Sequence, residues 1–99
     1  MCGIAGILSQ NIDLKEREPL IKDISESLKL RGPDGFGEYT KPYVTLIHRR
    51  LSVIDPEKGA QPMSFGKYVI AYNGEIYNTQ EIKNTLISKG YSFDTQCDT

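Results

Sequence analysis

The sequence is poor in the side chains that most often carry catalysis. It has one histidine, His48, and two cysteines, Cys2 and Cys97, in 99 residues. That is too few for a closed zinc site of four Cys/His ligands without help from carboxylates, and no metal is expected. A single histidine also removes most Cys–His and Ser–His–Asp schemes, except those that run through His48. A Cys2–Cys97 disulfide fits the count, but a cytoplasmic chain disfavours it. Long apolar runs are missing too. The best, at 4–8 and 68–72, fall well short of the roughly 18–20 residues that a membrane helix needs. The N-terminus has neither the basic region nor the apolar stretch of a signal peptide. A cytoplasmic protein without membrane contact is expected. Excess charge of either sign is absent as well: 12 Lys+Arg stand against 13 Asp+Glu, a net charge of −1. Nucleic acid is therefore not an expected partner, since its binders carry a basic footprint.

What remains is an ordinary folding composition. Hydrophobic residues make up 38% and charged residues 25%, which argues against disorder. The length suits one small domain, and a chain this short buries only about two thirds of its unfolded surface. Its ending, Thr95-Gln96-Cys97-Asp98-Thr99, has no helix stop, turn cluster or charged tail. It reads as the start of a further segment, so the chain is expected to be the front of something longer.

Hydrophobic periodicity predicts the elements. Residues 2–8, short and apolar with two glycines, read as a buried strand approached closely by other backbone. Pro19 suits the first turn of a helix over 19–30, in which Leu20, Ile21, Ile24 and Leu28 form one apolar stripe. Arg31-Gly32-Pro33-Asp34-Gly35 ends it, with Gly32 expected in a left-handed cap. Strands are predicted over 36–40, 43–48 and 50–54, with a Pro/Gly-rich loop over 55–62. The strongest strand signal, 67–72, would pair with 62–65 across Gly66. Asn78 with Glu81 three residues on resembles a capping box, Ile82, Leu86 and Ile87 line one face, and Gly90 stops the helix. Hairpin-length connections and segregated helices indicate an α+β fold rather than a doubly wound sheet.

Several residues could carry chemistry, each with a plainer alternative. Cys2 would share its residue with a free α-amine if Met1 is removed. That amine, with a pKa of about 7.7–8.0, could take the thiol proton without any histidine; alone, Cys2 reads more simply as a small apolar residue at a strand start. Asn73-Gly74 after a strand is a good hairpin turn. The residues that follow lead to a helix instead, which leaves the Asn73 amide and the Gly74 N–H as two neutral donors for an oxyanion. Of the adjacent Arg49 and Arg50, one is expected solvated and one paired, and an Arg fork suits a carboxylate. Asp98 could bind an ammonium, or be an ordinary surface carboxylate.

Together these segments form an ordered set. Cys2-Gly3-Ile4, Arg31-Gly32-Pro33-Asp34-Gly35, His48-Arg49-Arg50-Leu51-Ser52-Val53-Ile54-Asp55, Gln61-Pro62-Met63, Asn73-Gly74-Glu75-Ile76-Tyr77-Asn78 and Cys97-Asp98-Thr99 follow one another from Cys2 to the last residue. The set resembles the N-terminal glutaminase domain of class II glutamine amidotransferases. The Arg-Leu-Ser segment, the Gln-Pro-Met loop and Asn-Gly-Glu-Ile-Tyr-Asn look like the asparagine synthetase branch. Sugar-modifying amidotransferases on the same template share them, which leaves the ammonia acceptor open. Two positions depart from the pattern: Leu30 stands where the family usually has His, and Cys97 where it often has Ser. Leu30 puts any role of that His in doubt; neither departure touches the matched nucleophile or carboxylate-binding positions.

The resemblance implies a mature chain that begins at Cys2, whose thiol attacks glutamine with its own α-amine as base. Asn73 and Gly74 would hold the oxyanion. Arg50 would clamp the glutamine α-carboxylate, and Asp98 would take the α-ammonium with Glu75 as a second acceptor. If Met1 stays, the amine belongs to Met1 and little glutaminase activity is expected. No cofactor is implied for these 99 residues; ATP and Mg belong to an absent synthetase domain or subunit that would activate aspartate. The implied fold is an αββα sandwich of the N-terminal-nucleophile hydrolases, of which this chain would supply part. The lone chain would then expose apolar sheet surface and either associate, as a homo-oligomer, or misfold. A non-catalytic piece that binds a partner, or glutamine without turnover, is the alternative from a different class.

Overall fold

The computed structural model describes residues 2–11, 13–52 and 58–99, with the backbone alone at Leu14. In chain order the elements are β1 (Gly3–Leu8), α1 (Leu14–Leu28), β2 (Gly35–Lys41), β3 (Val44–Arg50), β4 (Met63–Phe65), β5 (Tyr68–Ile70) and α2 (Thr79–Ser88). The described residues form an α+β arrangement of two helices with antiparallel sheets. β1, β3 and β2 lie in that order in one sheet, and β4 and β5 form a separate two-stranded ribbon. β3 is therefore the central strand, with Gly3 opposite Arg49 on one side and Gly35 opposite Arg50 on the other.

Strand alternation divides β3 between two faces. Thr45, Ile47 and Arg49 look toward α1: Arg17 of the helix donates to Thr45 Oγ1, and Arg49 Nε donates to Ser25 Oγ at 2.9 Å and to its carbonyl at 3.1 Å. Ile21 and Ile47, at 8% and 0% exposure, are the buried hydrophobic residues of this layer. Leu46, His48 and Arg50 take the opposite face, on which Ile4 and Leu8 of β1 are 45% and 84% exposed. The sheet is thus covered by a helix on one side and presents apolar surface on the other, as the sequence reading expected.

The first helix begins earlier than its proline suggested. Asp13 caps it, its carboxylate accepting the Lys15 N–H at 3.3 Å, and Pro19 lies inside the helix rather than in its first turn. Interior proline removes a backbone bond and costs about 3 kcal/mol. A tertiary anchor offsets that cost. Arg17, fully buried, donates through Nη1 to the Lys41 carbonyl at 2.8 Å and through Nη2 to the Pro42 carbonyl. One guanidinium thereby satisfies both carbonyls of the β2–β3 turn and ties the start of the helix to them.

The remaining sequence expectations fare unevenly. Strands over 36–40 and 43–48 are found as β2 and β3, and the 62–65 and 67–72 pair as the shorter β4 and β5, with Gly66 at φ 57°. The strand expected over 50–54 is not formed at Leu51 and Ser52, because β3 ends at Arg50; Val53 and Ile54 lie outside the described residues, as do residues 55–57 of the 55–62 loop. Asn78 precedes α2, but its side chain makes no capping bond; Thr79 Oγ1 instead donates to the Ile76 carbonyl. Gly90, at φ 92°, ends α2 as expected. The α2 stripe does not pack: none of its residues is buried, and Ile82 and Ile87 are 40% and 55% exposed.

Replacing Arg17 with Met keeps the apolar stem and strands two turn carbonyls. Each such loss costs about 1–3 kcal/mol, so a fall of roughly 2–6 kcal/mol is expected in urea unfolding. An unchanged unfolding midpoint would count against the anchor.

Candidate active site

The Cys2 end of the site is built on the last residues of β3. Gly3 pairs with Arg49, so Cys2 comes alongside Arg50 and Leu51. Its Sγ accepts the Leu51 N–H at 3.3 Å and lies 3.7 Å from the Leu51 carbonyl oxygen. The loop after α1 braces this corner. Arg31 Nε reaches the Cys2 carbonyl at 3.4 Å, the Asp34 N–H donates to the Arg50 carbonyl at 2.9 Å, and Asp34 Oδ2 accepts the Ser52 N–H at 2.8 Å. Gly32 explains why the loop can approach so closely. A Cβ there would sit 2.2 Å from the Arg49 carbonyl carbon and oxygen. This corrects the reading of Gly32 as a left-handed cap: positive φ among the described glycines occurs at Gly66 and Gly90. Position 32 needs glycine for absence of bulk, not for handedness.

The second part of the site lies after β5. Asn73 is half-buried and Gly74 and Glu75 are exposed. They run toward α2 without a returning strand, which removes the hairpin alternative for Asn73-Gly74. Asp98 reaches this segment: its Oδ2 accepts the Ile76 N–H at 2.8 Å. The geometry therefore brings Asp98 to the 73–76 segment, and Cys2 to the Arg50 end of β3. No hydrogen bond among the described residues joins the Cys2 thiol to Asn73 or Gly74.

His48 spans the two parts. It is 1% exposed, and its Nε2 lies 3.1 Å from the Tyr72 carbonyl oxygen. A carbonyl only accepts, so Nε2 carries the proton. Nδ1 is buried with no hydrogen-bond partner among the described residues. Burial holds the imidazole pKa below its ordinary value; the Tyr72 bond opposes this, and the charge of Arg50 adds to the lowering. His48 is thus a neutral structural donor. On the other side of the same residue, the Tyr72 N–H donates to Gln61 Oε1 at 2.6 Å, and Gln61 Nε2 donates to Thr99 Oγ1 at 2.9 Å.

Of the adjacent arginines, Arg49 is the one engaged with the helix: besides Ser25 it lies 3.7 Å from Glu26 and 5.0 Å from the Phe36 ring centre. Arg50, half-buried, lies on the opposite face with His48. Both cysteines are free thiols, and Cys97 Sγ is 2.9 Å from Thr95 Oγ1. Among the described residues, no group of three or more His, Cys, Asp or Glu is placed to hold a metal ion, and no helix is long and apolar enough to cross a membrane. Sequence reasoning assigned no role to Gln61 or Asp34, although both stand within motifs it singled out. Their contacts are long-range, and spacing along a chain carries no trace of them.

The fold and this corner belong to a known class. The family model for the glutamine amidotransferase domain matches residues 1–99, and the chain belongs to that family. It is 41% identical over 103 residues to asparagine synthetase [glutamine-hydrolyzing] 1 of Bacillus subtilis, covering 100% of this chain and 16% of that protein. It is also 37% identical over 100 residues to the nodule asparagine synthetase [glutamine-hydrolyzing] of Pisum sativum, covering 99% of this chain and 17% of that protein. With a probable asparagine synthetase [glutamine-hydrolyzing] of Schizosaccharomyces pombe the identity is 38% over 101 residues, 99% of this chain and 18% of that protein. The chain spans about a sixth of the length of the curated relatives it matches.

A histidine held below its ordinary value of 6.5 makes stability fall on acidification. The unfolded state binds the proton first, so the contribution is complete above the unfolded pKa and is lost as pH falls through the folded one. Thermal melts across roughly pH 5 to 8 should show this slope, and His48→Gln, which keeps a donor without titrating, should flatten it. An equal slope in both proteins would contradict the assignment.

Proposed function

We propose that this chain carries the glutamine-hydrolysing centre of an ammonia-supplying enzyme, with Cys2 as nucleophile. The supporting observation is that the motifs carrying Cys2, Arg31 and Asp34, and Arg50 to Ser52 meet at one end of β3, where the Cys2 thiol accepts the Leu51 N–H. In this reading Met1 is removed and the α-amine of Cys2 accepts the thiol proton. Sulfur then attacks the side-chain amide carbon of glutamine. The oxyanion forms against the Asn73 amide and the Gly74 N–H, both neutral donors that strengthen as charge develops. Collapse of the intermediate expels ammonia, protonated by the same amine, and leaves a thioester. Water hydrolyses it to glutamate and restores the thiol.

Arg50 is assigned to the glutamine α-carboxylate, and Asp98, with Glu75, to the α-ammonium. A fork of donors matches a planar anion, and a carboxylate matches a compact cation. A site that bonds both ends should reject analogues lacking either, because its own polar groups would be left unpaired. We assign residues 1–99 to the N-terminal part of an αββα sandwich. The exposure of Ile4 and Leu8, 45% and 84%, on the sheet face away from α1 supports this. The ammonia would pass to an ATP- and Mg-dependent synthetase domain or subunit outside this chain, with aspartate as acceptor, in the cytoplasm.

The protein that carries this chain tests the proposal. Cys2→Ala should abolish release of glutamate from glutamine while synthesis from added ammonia continues. Arg50→Ala should raise KM for glutamine roughly ten- to hundredfold, the loss of a charged hydrogen bond; an unchanged KM would remove its assignment. Intact mass reads the processing directly, and Met-bearing protein that turns over at the normal rate would exclude the α-amine as base.

A further inference from the structure

The backbone of Tyr72 is held from both sides by side chains that come from distant parts of the chain. His48, in the middle of the central strand and buried, donates to its carbonyl at 3.1 Å. Gln61, from the loop before β4, accepts its N–H at 2.6 Å. The next residue is Asn73. The other end of the Gln61 amide donates to Thr99 at 2.9 Å, and the neighbouring Asp98 accepts the Ile76 N–H at 2.8 Å. One glutamine side chain thus spans the segment assigned to the oxyanion and the segment assigned to the ammonium.

Gly37 is the reason Gln61 can sit there. It is opposite His48 in the β2–β3 register, and a Cβ at Gly37 would fall 1.6 Å from the Gln61 carbonyl oxygen and 3.1 Å from Pro62 Cδ. The sheet therefore offers a bare patch beside His48, and the loop lies directly upon it. The two bonds hold the peptides on either side of the Tyr72 Cα, the second of which includes the Asn73 nitrogen, so neither can rotate without breaking its bond. Because Asn73 follows Tyr72 directly, its backbone start is fixed with it. Neither His48 nor Gln61 is required to touch substrate for this.

We infer that His48 and Gln61 are positioning residues for glutamine hydrolysis, clamping the two peptides that flank Tyr72 so that Asn73 and Gly74 are preset for the oxyanion. This rests on the reading of Asn73 and Gly74 given above. Donors preset for a developing charge contribute in the transition state and little in the ground state. A small misplacement costs about a hundredfold in rate. Loss of either clamp should therefore lower kcat and leave KM for glutamine nearly unchanged.

The experiment is steady-state glutaminase kinetics on the whole protein that carries this chain, with wild type, Asn73→Ala, His48→Leu, His48→Gln, Gln61→Leu and the Asn73→Ala/Gln61→Leu pair. His48→Leu and Gln61→Leu are expected to lower kcat by roughly ten- to hundredfold, with KM within about twofold. His48→Gln can keep a donor for the Tyr72 carbonyl and is expected to recover most of the rate. In the Asn73→Ala background Gln61→Leu should cost much less than in wild type, because the two act through one group. Gln61 is half-buried in a loop, so its variant keeps the test alive should His48→Leu fail to fold. A normal kcat in Gln61→Leu overturns the inference, as does a loss in which KM rises in step and His48→Gln gives no rescue. A normal kcat in Asn73→Ala instead overturns the oxyanion reading beneath it.

Discussion

The structure depends on β3 lying between β1 and β2. Antiparallel pairing on both sides satisfies its backbone and fixes its register. Once that register is set, alternation leaves no freedom: 45, 47 and 49 face α1, while 46, 48 and 50 face away. A slip of one residue would send Arg49 to the open face and His48 into the helix layer. Two polar contacts oppose such a slip, the buried one of Arg17 to Thr45 and the partly buried one of Arg49 to Ser25. The register of one strand thereby decides which arginine serves the helix and which lies on the face with His48.

The proposed site is assembled from segment ends rather than from any one element. Cys2 comes from the start of β1, Arg50 from the end of β3, Asn73 and Gly74 from the stretch after β5, and Asp98 from beyond α2. Their holding contacts are mostly hydrogen bonds to backbone. Asp34 takes the Ser52 N–H, Asp98 the Ile76 N–H and Gln61 the Tyr72 N–H. Such contacts satisfy loop backbone that would otherwise depend on water, and they order it. Two glycines contribute by having no side chain. Gly32 lets the first loop rest on β3, and Gly37 lets the Gln61 loop rest on β2.

Much of this was readable in advance. The α+β class, the β2–β3 hairpin about Lys41-Pro42, the β4–β5 ribbon across Gly66 and the stop at Gly90 all follow from local pattern and backbone preference. Pro19 misled, because local preference places proline in a first turn, and the tertiary anchor of Arg17 overrode it. Asn78 misled in the same way, since a capping box is one local solution and Thr79 supplied another contact. The candidate residues Cys2, Arg50, Asn73, Gly74, Glu75 and Asp98 were legible as ordered motifs. The contacts of Asp34, Gln61 and His48 were not.

The division has a physical basis. Side-chain type and spacing determine which segments can be strands or helices and which residues can act as nucleophile, donor or counter-charge, because these are properties of a residue and its near neighbours. Composition likewise disfavoured a nucleic-acid or zinc-binding role without any coordinates. Tertiary structure alone decided that Arg49 turns to the helix, that Gly32 is needed for close approach, and that His48 and Gln61 grip the backbone of the same residue. Those facts depend on bonds between residues 11 to 24 positions apart. They arise only when the sheet closes and brings the partners within reach.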